Sequence, residues 1–208
     1  MTTTVIDHPL AAERLTIMRR TSTSNSDFRQ ALDGLAGMLL YEATRTLAVT
    51  TIDVDTPLTR TKGVQLAGTP MLVPILRAGV GMVAAALRLL PSSEVGFVGV
   101  SRDEETFEPA QYLAKLPRSL EGRPIIVLDP MLATGGSLAH TLRLVADREA
   151  PQPFTVVCVL AAPEGLKFIE STGIDVNVFT ASVDSHLNES AYIVPGLGDA
   201  GDRQFGLW

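Results

Sequence analysis

The residues from Asp129 to Ser137 hold the densest chemistry in the chain: one carboxylate, the hydroxyls of Thr134 and Ser137, and the pair Gly135-Gly136. They follow Ile125-Ile126-Val127-Leu128, which reads as a buried strand, and precede a segment from Ser137 to about Arg148 that reads as a helix. A strand that turns into a helix N-terminus makes an anion site, because free backbone N–H groups and the helix dipole both face the ligand. The carboxylate at the strand end adds a partner for hydroxyl groups. That combination suits a sugar phosphate better than a bare phosphate.

Two arginines stand in comparable places. Arg77 ends the apolar run Met71–Leu76 just before Ala78-Gly79, and Arg102 follows the run Gly96–Val100 within Ser101-Arg102-Asp103-Glu104-Glu105. A guanidinium stays charged and binds phosphate bidentately, so two of them converging on the Asp129 loop would suit a polyphosphate. Each feature alone is bland. A single arginine at a strand end is usually solvated, and Asp-Pro followed by Gly-Gly is an ordinary turn signature. Their recurrence at successive strand ends favours a phosphate site, since ligands of open α/β sheets bind beyond the carboxyl ends of the strands.

A further element is the tail from Tyr192 to Arg203, YIVPGLGDAGDR. Pro195, Gly196, Gly198 and Gly201 predict a rigid, irregular loop with many backbone donors and acceptors left free. A Gly-rich terminus is ordinarily disordered, yet Tyr192-Ile193 and Phe205 flank this one as anchors. Such a loop suits a flat heterocycle with alternating carbonyl and N–H groups, of which uracil is one.

The elements that must position these residues follow from periodicity. Residues 1–20 predict an arm with a short strand or helical turn. Thr21–Ser26 is a cap-like polar cluster, after which Phe28, Leu32, Leu35, Leu39 and Ala43 share one face of a helix over Phe28–Leu47. Strands are expected at Met71–Leu76, Gly96–Val100, Phe154–Leu160 and Val176–Thr180, and helices at Gly79–Leu90 and Pro163–Ser171. Residues 101–119, with Pro109 and Pro117, predict a flap or hairpin. Strands alternating with helices imply a mostly parallel sheet covered on both faces.

Bulk properties narrow the function classes. A chain of 208 residues suits one compact domain, and 46% hydrophobic with 19% charged residues is ordinary for an α/β protein. Aromatic residues make up 5% and the formal charge is −6, which argues against single-stranded nucleic acid or a long phosphate backbone as partner. The single cysteine, Cys158, lies in the apolar run Phe154–Ala162 and predicts a buried structural thiol in a reducing compartment. The opening MTTTVIDHPL lacks a basic region followed by an apolar stretch, and no apolar run nears the ~20 residues needed to span a bilayer. No signal peptide, no membrane partner and a cytoplasmic location are expected. His8, His140 and His186 are scattered and predict structural or solvated roles.

On these residues the chain resembles the uracil phosphoribosyltransferases of the type I phosphoribosyltransferase family. LDPMLATGGS is similar to that family's phosphoribosyl-pyrophosphate motif and YIVPGLGDAGDR to its uracil-binding loop. HPL, Tyr41-Glu42-Ala43-Thr44-Arg45, VPILRAGVGM, SRDEETFEP, AAPEG and Phe205-Gly206 extend the likeness over almost the whole chain. Other type I members carry two adjacent acids in the loop and often another before Thr-Gly. Here Pro130 and Ala133 take those places, as in the uracil branch.

The resemblance implies an α/β fold of the type I class: a central, mostly parallel sheet flanked by helices, with an N-terminal arm, a flap and a C-terminal uracil-binding hood. It implies transfer of the phosphoribosyl group of 5-phospho-α-D-ribose 1-diphosphate (PRPP) to N1 of uracil, giving UMP and diphosphate, with Mg²⁺ bound mainly through substrate oxygens and water. By the same likeness, catalysis falls to Arg77, Asp129 and Asp199. PRPP falls to Arg77, Arg102, Asp129, Pro130, Met131, Leu132, Ala133, Thr134, Gly135, Gly136, Ser137 and Asp199. Uracil falls to Tyr192, Ile193, Gly198, Asp199 and Ala200. No dedicated metal ligands are expected, and no side chain stands out as a general base.

It also implies an unusual, often cis, peptide after the arginine of ILRAG, at Arg77-Ala78. Homodimers or higher homo-oligomers, and activation by GTP in some members, come with the resemblance alone; no residue pattern derives them. An RNA-binding pyrimidine sensor shares the fold, but the acidic balance, Pro130 and the GLGDAGD tail disfavour that reading. A non-catalytic nucleotide-binding subunit is disfavoured because every mapped motif position is occupied.

Overall fold

The computed structural model describes residues 1–102 and 109–206, with the side chains at 101, 102, 109 and 110 left undescribed. In chain order the elements are β1 (Thr2–Val5), α1 (Pro9–Arg19), α2 (Asn25–Ala43), β2 (Val49–Asp55), β3 (Arg60–Leu66), β4 (Met71–Leu76), α3 (Val80–Leu89), β5 (Phe97–Arg102) and β6 (Pro109–Lys115). They continue with β7 (Ile125–Leu128), β8 (Met131–Leu132), α4 (Gly136–Ala146), β9 (Phe154–Ala161), α5 (Pro163–Ser171), β10 (Val176–Val183), β11 (His186–Leu187), β12 (Ile193–Val194) and α6 (Ala200–Phe205).

The main sheet runs β1-β10-β9-β7-β4-β5-β6, with β8 paired to β9. All of its ladders are parallel except β5–β6, which forms the hairpin expected near residues 101–119. After β4 the chain crosses to β5 on one side; after β7 it crosses to β9 on the other. The order therefore reverses between β4 and β7, and the crevice of an open α/β sheet lies at the carboxyl ends of the strands at such a point. Those two strands end at Leu76 and Leu128, immediately before Arg77 and Asp129.

The strands are covered on both faces because their side chains alternate. Leu72, Ile126, Leu128 and Val157 pack with α1, α2 and α3, in a core that includes Phe28, Leu32, Leu39 and Met82. Val73, Ile125, Val127, Val156 and Cys158 face the other way, onto Leu138, Leu142 and Val145 of α4 and Ile169 of α5. Strands buried on both faces read as unbroken apolar runs, which is why β4, β7 and β9 were legible. Cys158 is fully buried, and burial pushes its thiol up to about 12, as expected of a structural cysteine.

Several expectations need adjustment. The N-terminal arm is knit into the sheet: β1 pairs with β10, and α1 starts with His8, whose Nδ1 accepts from the Leu10 N–H (3.2 Å). The Ser24 hydroxyl caps α2 through the Asp27 N–H (3.1 Å), so the helix begins before Phe28 and ends at Ala43, short of Leu47. Residues 49–66 form the exposed antiparallel hairpin β2–β3, which no apolar period announced. The tail is not wholly irregular, since β11 pairs with β12 and α6 follows. No described helix is long and apolar enough to cross a membrane.

Candidate active site

Asp129 sits directly after β7, and the residues beyond it are strapped to the neighbouring strand. Pro130 is buried and its carbonyl accepts from the Val159 and Leu160 N–H groups (2.9 and 3.0 Å). Met131-Leu132 adds strand β8 beside Leu160-Ala161, so these two residues are strand rather than turn. The Asp129 carboxylate accepts only a long bond from the Met131 N–H (3.4 Å) and faces no cation among the described residues. The residue keeps part of its surface, but its carboxyl is withdrawn from water, and desolvation raises its pKa to about 7. Such a group is poised for hydroxyl donors or positive charge.

Thr134 to Ser137 turn the chain into α4. Gly135 occupies the N-cap with φ +84° and no capping side chain, and the Gly136 N–H makes only a long bond to Thr134 Oγ1 (3.5 Å), so the helix N-terminus is weakly satisfied from within. A Cβ on Gly135 would lie 3.0 Å from both the Gly165 carbonyl oxygen and Phe168 Cδ1, in a backbone region that L-residues avoid. Gly165, within AAPEG, approaches the Ala133 carbonyl so closely that it too admits no side chain. Helix α5 thus buttresses the loop from behind. Gly135→Ala should cost about 1–2 kcal/mol of stability from the left-handed conformation alone and weaken binding of a phosphorylated ligand. Urea denaturation with an unchanged midpoint would contradict this.

Arg77 stands at the end of β4. The unusual peptide is indeed cis, but it is Leu76–Arg77, one residue before the position expected at Arg77-Ala78. The guanidinium donates through Nη2 to Asp202 Oδ1 (3.0 Å) and is otherwise half-exposed, leaving most of its five N–H donors for a ligand. Asp199 lies close by. A Cβ placed on Gly201 would be 3.1 Å from Asp199 Oδ1 and 3.5 Å from Arg77 Nη2, so both side chains border one small space.

The tail closes over these residues as a hood. A cavity of about 410 Å³ is lined by Tyr192, Ile193, Gly198, Asp199 and Ala200 on the hood side, and by Ala78, Met131 and Ala133 on the sheet side. All five residues expected to read a base therefore meet members of the Arg77 and Asp129 segments. Arg77, Asp129 and Thr134–Ser137 themselves do not line it. They adjoin its lining along the chain, Arg77 beside Ala78 and Thr134 beside Ala133. Of the expected flap, residues 103–108 and the side chain of Arg102 lie outside what is described; Arg102 ends β5.

The hood is held differently from expectation. Tyr192 and Phe205 are substantially exposed, while Ile193, Leu197 and Ala200 are buried. Polar tethers do the rest. Arg203 donates to the carbonyls of Leu197 (2.7 Å) and Arg20 (2.8 Å) and lies over the Phe28 ring at 4.8 Å. Gln204, fully buried, donates to the carbonyls of Ala78 (3.0 Å) and Ala200 (2.8 Å), tying α6 to the Arg77 turn. Asp199 caps α6 through the Asp202 N–H (2.9 Å).

Sequence reasoning missed Asp202, Ser190, Ala191 and Ala78. The spacing Asp199-x-x-Asp202 is a helix-start signature that points to α6 and hence to Asp202; Ala191, with φ +58°, carries no such signal. The histidines take minor parts: His140 pairs with Gln111 (2.9 Å) and His186 with Ser185 (2.8 Å), and neither lines the cavity.

A reversed, mostly parallel sheet flanked by helices, with the Asp129–Ser137 turn after β7 and Arg77 after β4, has the type I phosphoribosyltransferase fold. Sequence comparison gives the branch: residues 5–207 match the family model for uracil phosphoribosyltransferase, and the chain belongs to that family. It is 51% identical over 202 residues to the uracil phosphoribosyltransferase of Corynebacterium diphtheriae, covering 97% of this chain and 95% of the relative. It is 48% identical to the enzyme of the same name from Corynebacterium efficiens, covering 99% and 97%. The solved AQ2163 protein from Aquifex aeolicus superposes with a TM-score of 0.93 at 39% identity, covering 99% of both chains.

Proposed function

We infer that residues 1–208 act as a single phosphoribosyltransferase domain that transfers the phosphoribosyl group of PRPP to N1 of uracil, releasing diphosphate and UMP, in pyrimidine salvage. The observation that carries this is the cavity, which sets Gly198–Gly201 opposite Ala78, Met131 and Ala133. Its size is in the range of small-molecule sites. Uracil lies within it, read by Ile193 and the Gly198–Ala200 backbone beside Tyr192. A cytosine amine would leave buried groups facing the wrong partner, which is a strong basis for rejection.

The sugar lies across the sheet end. Asp129, as carboxylate, accepts the ribose hydroxyls, and the segment from Thr134 to Ser137 wraps the 5′-phosphate at the start of α4. Breaking the C1–oxygen bond places negative charge on the leaving diphosphate, which Arg77 and Arg102 stabilise. Asp199 faces the sugar–diphosphate junction. The uncompensated Asp129 carboxyl and the Asp199 carboxylate are compatible with a divalent cation, and among the described residues no three His, Cys, Asp or Glu side chains gather into a cage. Mg²⁺, held through PRPP oxygens and water, supplies charge neutralisation at the diphosphate when bound. Bringing base and sugar together in one orientation supplies several kcal/mol more.

Incubation with uracil, PRPP and Mg²⁺ should yield UMP and diphosphate in equal amounts; comparable turnover of cytosine or orotate would overturn the specificity. Arg102→Ala should raise the KM for PRPP at least tenfold with the KM for uracil little changed, and the reverse pattern would contradict its place. By family reading the protein is cytoplasmic, a homodimer or higher homo-oligomer, and responsive to GTP as effector. Sedimentation and GTP titration of initial rates test the last two.

A further inference from the structure

Beneath the hood lies an ion pair that the chemistry above does not use. Asp184, just after β10, is buried and donates its N–H to the Ala161 carbonyl (2.9 Å). Arg19, in the last turn of α1, donates Nη1 to Asp184 Oδ2 (2.7 Å) and Nη2 to Oδ1 (2.6 Å). The Ser182 hydroxyl donates to the same carboxylate (2.8 Å). The pair also brackets Gly196: the Gly196 N–H donates to Asp184 Oδ2 (2.9 Å), and the Gly196 carbonyl accepts from Arg19 Nη1 (2.8 Å). Both peptide units meeting at Gly196 are thereby fixed, between Ile193 and Gly198, which both line the cavity.

We propose that Arg19 and Asp184 form a positioning clamp that sets the hood over the base, so that the N-terminal helix governs affinity for uracil. This rests on the reading of the hood as the uracil site. The clamp is suited to the task because a bidentate guanidinium–carboxylate pair is directional, and because each member spends a bond on the hood backbone as well as on its partner. Its bonds reach none of the residues assigned to PRPP. Burial alone would push the Asp184 carboxyl up; the bonds from Arg19, Ser182 and Gly196 and the Arg19 charge outweigh it and hold the carboxyl below its ordinary range. The pair is therefore charged at neutral pH.

Steady-state kinetics on three variants test the clamp, with thermal denaturation alongside. Asp184→Asn should raise the KM for uracil at least tenfold and change the KM for PRPP less than twofold. Arg19→Lys, which keeps the charge but not the fork, should give an intermediate uracil KM. The neutral pair Arg19→Gln/Asp184→Asn, which leaves no unpaired buried charge and keeps a donor and an acceptor for the Gly196 peptide, should stay folded yet show the raised uracil KM. It decides the matter if Asp184→Asn fails to fold. An unchanged uracil KM in a folded variant, or both KM values rising together, overturns the clamp. A wild-type protein with no saturable use of uracil would overturn the uracil reading instead.

Discussion

Asp129→Asn should lower kcat/KM for PRPP by at least a hundredfold while making the unliganded protein more stable at pH 8. The two effects share one cause. The carboxyl is withdrawn from water with one long hydrogen bond, so its pKa is raised to about 7. A carboxyl that holds its proton more tightly folded than unfolded favours folding at low pH and opposes it as pH rises. Between the unfolded pKa near 4 and the folded value, ionisation removes on the order of 4 kcal/mol of stability. Asparagine has no proton to lose. Its advantage over the wild type should be small near pH 4, grow toward pH 7 and level off above it. Thermal melts across that range read the effect; a wild-type melt that strengthens relative to the variant as pH rises would contradict it. Activity runs the other way, because ribose hydroxyls need the ionised carboxylate as acceptor. The wild-type kcat/KM for PRPP should fall as pH drops through about 7.

Asp199→Asn should reduce kcat at least a hundredfold with little change in folding stability. Asp199 caps α6 by accepting from the Asp202 N–H, and asparagine caps a helix about as well as aspartate. The substitution therefore keeps the hood's geometry and removes only the charge beside Arg77. A stability loss matching the loss of rate would make Asp199 a structural cap alone. Full activity in the asparagine variant would remove it from the chemistry. Urea denaturation and initial rates on the same preparation separate the outcomes.

What could be read in advance follows from which forces are local. The runs Met71–Leu76, Ile125–Leu128 and Phe154–Leu160 announce themselves because strands buried on both faces need apolar side chains at every position. The loop after Asp129 is legible because its glycines and hydroxyls are consecutive. Periodicity starts helix α2 only at Phe28 because its first turn, Asn25 to Asp27, is polar and held by its cap rather than by the core. The β2–β3 hairpin escaped because it buries almost nothing, so its residues carry no period.

The site's missing pieces are long-range. Asp202 meets Arg77 across 125 residues, and Gln204 meets Ala78 across 126. No spacing rule reaches that far. Of the expected anchors Tyr192, Ile193 and Phe205, Ile193 is buried as expected, while the two aromatic residues are not, and arginines, a buried amide and an ion pair hold the rest of the hood. Backbone carbonyls of Leu197, Ala78 and Ala200 need donors once they leave solvent, and Arg203 and Gln204 supply them, whereas Phe205 has none to offer. The cis peptide fell one residue from its expected place, which moves it from the carboxyl to the amino side of Arg77.

The most direct measurement is a crystal structure of the protein with uracil and a non-reactive PRPP analogue. Uracil should lie against Ile193 and the Gly198–Ala200 backbone, with the ribose hydroxyls at Asp129 and the 5′-phosphate at the start of α4. A base bound away from the hood, or a phosphate away from Thr134–Ser137, would contradict the assignment.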